Sequence, residues 1–237
     1  MTLKDPLVVI SESLAAAKRA RAARAMARRD LFCFVALGDS FTAGKGCAPG
    51  ESWADRLAAW LRAVHSPLGY YNLAVDGGTS ADVLDHQVGP ALQLEPDLVT
   101  VICGANDVLT SVRPDIEGYA VRLAAILDRL REGSPRVALL TATSPEHWRF
   151  LELRPRTRAR VVGGIGRLNE ATRVVAASRG VPCLDVANHP GLHDRANFSP
   201  DGLHPSPAGH ARAATEFARA LHTHFGIEGD TIGKEER

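Results

Sequence analysis

Five short, continuously apolar runs alternate along the chain with segments of helical period, and this alternation restricts the fold more than any other feature. The runs are residues 31–37 (LFCFVAL), 70–75, 97–103 (DLVTVIC), 136–141 (RVALLT) and 181–186 (VPCLDV). Apolarity at every position, rather than at every second one, marks parallel strands covered on both faces. Between the runs, Trp53, Leu57, Trp60, Leu61 and Val64 share one helical face, as do Ile116, Tyr119, Leu123, Ile126, Leu127 and Leu130. A third helical pattern covers 157–178 and stops at Gly180. A last one, with Ala214, Phe217, Ala218 and Leu221, begins near Pro205 or Pro207, and residues 81–88 form a shorter helix. Strand and helix in alternation predict βαβ units. The expected fold is an α/β/α sandwich of three layers around a five-stranded parallel sheet, in the flavodoxin-like order 2-1-3-4-5.

Composition removes several classes of function. Of the 237 residues 45% are apolar and 23% charged, and the net charge is +1. That excludes a strongly basic nucleic-acid scaffold and an acidic disordered chain. No apolar run approaches the ~18 residues of a membrane-spanning helix. Residues 1–30 hold seven basic and three acidic residues and are read as a basic Ala/Arg-rich extension. Its simplest form is a solvated helix; a partner-binding or membrane-surface helix and a transit peptide are the alternatives. The apolar run at 6–10 is too short for a secretory leader, and the charges follow it rather than precede it. Residues 31–225 are read as one domain and 226–237 as a mobile tail. Cys33, Cys47, Cys103 and Cys183 form no C-x-x-C pair, so neither zinc nor thioredoxin-type chemistry is expected. Cys33, Cys103 and Cys183 fall in runs read as buried strands. A cytoplasmic monomer acting on a small molecule, without cofactor, is the expectation.

Sheets of this kind bind ligands beyond the carboxyl ends of their strands, so the chemistry should follow each run. After the first comes Gly38-Asp39-Ser40-Phe41-Thr42-Ala43-Gly44, after the second Asp76-Gly77-Gly78-Thr79-Ser80, and after the third Gly104-Ala105-Asn106-Asp107. Near the end comes Ser199-Pro200-Asp201-Gly202-Leu203-His204-Pro205. Acyl transfer needs a nucleophile whose proton a base removes, a carboxylate that orients the base, and fixed donors for the oxyanion. Ser40, His204 and Asp201 can fill the first three roles. The Ser40 and Gly77 amides and the Asn106 side chain can serve as donors. In a turn, Asp201 and His204 at i and i+3 can meet, and Pro205 biases His204 away from helical geometry.

These four blocks, with Asn72-Leu73-Ala74-Val75 leading into the second, resemble the four sequence blocks of the SGNH hydrolases, the GDSL-type esterases and lipases. They occur in that family's order, and the resemblance spans residues 31–221. It implies Ser40 as nucleophile, His204 as general base, Asp201 orienting it, and an oxyanion hole of Ser40 N–H, Gly77 N–H and the Asn106 side chain. Gly77 is preferred over Gly78 because it follows the Asn-x-Ala-Val-x frame. Phe41 stands where the family often has Leu or Ile. The implied activity is hydrolysis of a carboxylic ester or thioester, without a metal.

Other readings stay beside it. The same site could pass an acyl group to an alcohol or amine, or the domain could be a non-catalytic binding module. Ser40, Asn106 and Asp201 could be ordinary cap or turn residues, and Asp39 and Asp107 are read as structural. Gly38–Gly46 lacks the spacing and hydroxyl of a phosphate-binding loop. Pro190 and Gly191 separate His189 from His193 and argue against a metal pair. His210 has no visible partner and is read as a surface residue of the last helix. Residues 144–160 follow the fourth run and mix Trp148, Phe150, Leu151 and Leu153 with five arginines. They form either an amphipathic covering segment or a lid, with Trp148 and Phe150 on the substrate.

Overall fold

Each apolar run becomes a strand. The computed structural model describes residues 31–146 and 148–229; the extension read at 1–30 and the tail residues 230–237 lie outside them. The strands are β1 (Phe32–Gly38), β2 (Leu68–Asn72), β3 (Leu98–Ile102), β4 (Ala138–Ala142) and β5 (Cys183–Leu184). All pair in parallel, in the order β2-β1-β3-β4-β5.

The helices are α1 (Ser40–Ala43), α2 (Trp53–Val64), α3 (Ser80–Asp82), α4 (Val88–Gln93), α5 (Ala105–Leu109), α6 (Ile116–Gly133), α7 (Pro155–Ser178) and α8 (Pro207–Phe225). A π turn, Val83–Gln87, joins α3 to α4. The short helix expected at 81–88 is therefore part of a longer run, opened by a capping box between Thr79 and Asp82.

Alternation along β1 sorts the two cores. Phe34 and Ala36 face the layer of α2 and α8, packing with Trp53, Leu57, Leu61, Phe217 and Leu221. Cys33, Val35 and Leu37 face the other layer, with Tyr119, Leu123, Ile126 and Leu127 of α6 and Ile165 and Leu168 of α7. Each fully buried large side chain contributes ~1.5–3 kcal/mol, so the central strands are the firmest part of the site's foundation.

The two edges are thinner than their apolar runs suggest. β2 has no buried residue, because one side of it has no neighbouring strand. β5 is two residues long, and Cys183 is half-buried rather than buried. Pro182 has no N–H to give the ladder, and Asp185 turns to Thr143 and Arg173 instead. Beyond α8, Ile227 packs on the α2/α8 core and Gly229 lies against Trp60 and Val64. Among the described residues no helix is long and apolar enough to cross a membrane.

Candidate active site

The end of β1 leaves no room for a side chain. Gly38 has φ +153°, and a Cβ there would stand 2.2 Å from the Ile102 carbonyl oxygen of β3. Asp39 then caps α1, accepting from the Phe41 amide at 3.1 Å, and Ser40 opens the helix with 8% of its surface exposed.

Ser40 Oγ lies 3.0 Å from His204 Nε2, and His204 Nδ1 lies 2.6 Å from Asp201 Oδ2. Ser40 and His204, 164 positions apart in the chain, are brought together by the loop before α8. That loop is built tightly: Ser199 N–H donates to the His204 carbonyl at 2.8 Å and Gly202 N–H to the Ser199 carbonyl at 3.0 Å. Burial would raise the Asp201 carboxyl. Hydrogen bonds from the His204 ring, the Leu203 and His204 amides and the Ser199 hydroxyl outweigh it and hold the group well below the usual carboxylate range. An ionised Asp201 accepts from Nδ1–H, which leaves Nε2 as the acceptor facing the serine hydroxyl.

The predicted donors converge from two other strand ends. Asn106 Nδ2 donates one hydrogen to the Gly78 carbonyl at 2.9 Å and has a second to give. Val75 to Gly78 form a turn closed by Gly78 N–H on the Val75 carbonyl at 3.0 Å. Gly77, at φ +78°, occupies the turn position that demands a left-handed residue. The Gly78 N–H is thus consumed. The N–H groups of Gly77 and Ser40 meet no acceptor among the described residues. Gly77 sits exposed at the rim rather than in the cavity wall.

A cavity of about 180 Å³ opens beside Ser40, Asn106 and His204. Leu109, Trp148 and Leu203 are among its lining residues. Phe41, Ala142, Leu184, Ala213 and Phe217 line the part that runs between the sheet and α8. Small side chains at 142 and 213 keep this space open.

A family model for the GDSL-like lipase/acylhydrolase family matches residues 36–212. The chain belongs to that family. This GDSL-family hydrolase finds no match among curated sequences. Solved structures of the same fold include a lipase/acylhydrolase from Enterococcus faecalis, at 21% identity and TM-score 0.65 over 84% of this chain and 99% of that one. The psychrotrophic esterase EstA from Pseudoalteromonas matches at 17% and 0.66, over 81% and 97%. An extracellular lipase from Streptomyces rimosus matches at 20% and 0.59, over 81% and 99%.

Several residues that shape the GDSL site carried no sequence signal. Gln87, in the π turn and 2% exposed, bonds both backbone groups of Gly38 at 2.8 Å each. It pins the residue two before Ser40. The guanidinium of Arg195 donates to the carbonyls of Phe198, Ser199 and Pro200, holding the His204 loop from outside.

His210 is a correction: it is fully buried, not a surface residue. Its Nδ1 accepts from the Trp53 amide at 3.3 Å and its Nε2 donates to the Lys45 carbonyl at 3.1 Å. Burial lowers its pKa, and the neutral ring ties α8 to the loop behind Ser40. A single histidine on a helical face gives no hint of partners 157 and 165 residues away. Trp148 is buried and lines the cavity, whereas Phe150 packs on Phe198 and its carbonyl lies against Gly202 in the His204 loop.

Proposed function

We propose that this GDSL-family hydrolase is a serine esterase that cleaves a carboxylic ester or thioester through an acyl-enzyme on Ser40. The observation that carries this reading is the unbroken chain Ser40 Oγ, His204 Nε2, His204 Nδ1, Asp201 Oδ2, with separations of 3.0 and 2.6 Å. His204 Nε2 takes the hydroxyl proton as Ser40 Oγ bonds to the substrate carbonyl carbon. The carbonyl electrons move onto oxygen, and the resulting oxyanion accepts from Ser40 N–H, Gly77 N–H and the second hydrogen of Asn106 Nδ2. The intermediate collapses, the C–O or C–S bond breaks, and Nε2–H returns its proton to the leaving group. Water then repeats the sequence on the acyl-enzyme. Asp201 stays ionised throughout and stabilises the imidazolium.

The free N–H of Gly77 and the spent N–H of Gly78 support Gly77 as the second amide donor. The apolar walls of the cavity suit a hydrocarbon portion of the substrate. Trp148 forms part of that wall and Phe150 braces the His204 loop, so the segment around them serves as a cover over the site.

The Pseudoalteromonas esterase has been crystallised inhibited by monoethylphosphonate, and the same class of reagent tests this chain. A fluorophosphonate should label Ser40, and Ser40→Ala should lose both labelling and p-nitrophenyl butyrate turnover, by at least ~10³-fold, while remaining folded. A folded wild type that neither turns over the ester nor reacts with the fluorophosphonate would end the proposal.

A further inference from the structure

Two of the three donors ride on segments that follow strands not paired with each other. Gly77 follows β2 and Asn106 follows β3, and β1 lies between those strands. Above the sheet a separate network joins them. Ser80 donates its backbone N–H to Asp107 Oδ2 at 2.8 Å and its hydroxyl to Asp107 Oδ1 at 2.5 Å. Arg122, from α6, donates through Nε to Ser80 Oγ at 2.8 Å and through Nη2 to Asp107 Oδ1 at 3.2 Å. Ser80 is three residues from Gly77, and Asp107 is the neighbour of Asn106.

We infer that Asp107, Ser80 and Arg122 are positioning residues that set the spacing between the Gly77 amide and the Asn106 side chain, and so the shape of the oxyanion site. The inference rests on the serine-esterase reading. The Gly77 segment is also tied by the Asn106 side chain, which donates to the Gly78 carbonyl at 2.9 Å, by the Val75 N–H on the Gly38 carbonyl at 3.2 Å, and by the pair between Asp76 and Lys45, with side chains 56% and 47% exposed. Exposed pairs hold little, and the first bond moves with the Asn106 side chain that Asp107 sits beside. The Asp107 side chain is only 7% exposed, and Arg122 supplies the charge that such burial requires. Arg122 also lies 3.9 Å from the exposed Asp115, which leaves its bonds to Ser80 and Asp107 the shorter ones. None of the three residues lines the cavity. They can act on the transition state only through Gly77 and Asn106, and substrate binding in the ground state should not register their loss.

The test is a set of variants, Asp107→Asn, Ser80→Ala, Arg122→Ala and Arg122→Lys, in the full chain. Each is assayed for kcat and KM on p-nitrophenyl butyrate, for inhibition by an alkyl trifluoromethyl ketone, and for thermal midpoint. The ketone adds to a serine hydroxyl to give a hemiketal whose oxyanion uses the same donors. Asp107→Asn should lower kcat by roughly 10- to 100-fold with KM within about twofold, and weaken the ketone by the same factor. Ser80→Ala keeps the backbone bond and should lose less. Arg122→Lys should recover part of what Arg122→Ala loses.

A folded Asp107→Asn protein with wild-type kcat overturns the inference, as does a fall in kcat with unchanged ketone affinity, which marks a merely structural network. If Asp107→Asn does not fold, Ser80→Ala and Arg122→Ala decide by the same readouts. A wild type inert to ester and fluorophosphonate overturns both this inference and the reading beneath it. An active wild type with indifferent variants overturns this inference alone.

Discussion

The two halves of the site are built from different materials. On the side of β1, β2 and β3, with the Asp201–His204 loop that reaches across to Ser40, directional bonds dominate: Gln87 to Gly38, Asn106 to Gly78, Ser80 to Asp107, Asp107 to Arg122, His204 to Asp201. On the side of β4, β5 and α8 the walls are mostly hydrocarbon, with Ala142, Leu184, Ala213 and Phe217 among them, interrupted by Thr143, His189, Arg212 and Glu216. Directional bonds define points in space, while apolar contacts define only a volume. Under the proposed mechanism, therefore, the chemistry belongs to the first half and the choice of substrate to the second. Substitutions in the first half should change kcat, and substitutions in the second should change which ester is preferred.

The sharpest challenge to that division is Asp201→Asn. It keeps the shape of the loop but removes the charge that orients His204, and should lower kcat by roughly 10³- to 10⁴-fold. A loss confined to KM would mean that the two halves are not separate.

Asp39 tests the cost of crowding acids on the polar side. Burial, with the nearby charges of Asp107 and Asp76, raises its carboxyl from 3.8 to about 7, against the Phe41 amide, which lowers it. The folded state therefore holds this proton more tightly than the unfolded chain, so its contribution to stability is full below about pH 4 and is lost as pH rises to about 7. Asp39→Asn keeps an acceptor for Phe41 and should remove that slope. It should gain on the order of 4 kcal/mol at most, relative to wild type, at pH 8. Thermal midpoints measured from pH 4 to 8 check this; parallel curves for the two proteins would refute it.

The smallest effect is expected on the apolar side. Each methylene of an acyl chain buried against the apolar wall of this cavity should improve kcat/KM about fourfold. Ala213→Phe should cut the ratio of p-nitrophenyl octanoate to acetate turnover by about tenfold and leave the acetate rate nearly unchanged. An unaltered chain-length profile would remove α8 from substrate selection.

Much of this was legible in the chain. Continuous apolar runs betray buried parallel strands, and so Ser40, Gly77 and Asn106 could be placed at strand ends before any coordinates. The i, i+3 spacing of Asp201 and His204 is local enough to read directly. The residues that support them were not legible. Gln87, Arg195 and His210 are ordinary polar residues on a π turn, a loop and a helix, and Asp107 reads only as structural. Their partners are set by long-range packing, which leaves no periodic trace.

By itself, then, the order of apolar and polar residues determined the layers and the alternation of strand and helix, because burial and strand spacing are encoded residue by residue, and the four motif blocks marked Ser40, Gly77, Asn106, Asp201 and His204 as candidates. Only the tertiary structure decided that Ser40 and His204 stand 3.0 Å apart, which glycine keeps a free amide, where the cavity lies, and how β2 and β3 are tied across β1. Those are outcomes of packing between elements distant in the chain, where one side chain's position depends on every neighbour that surrounds it.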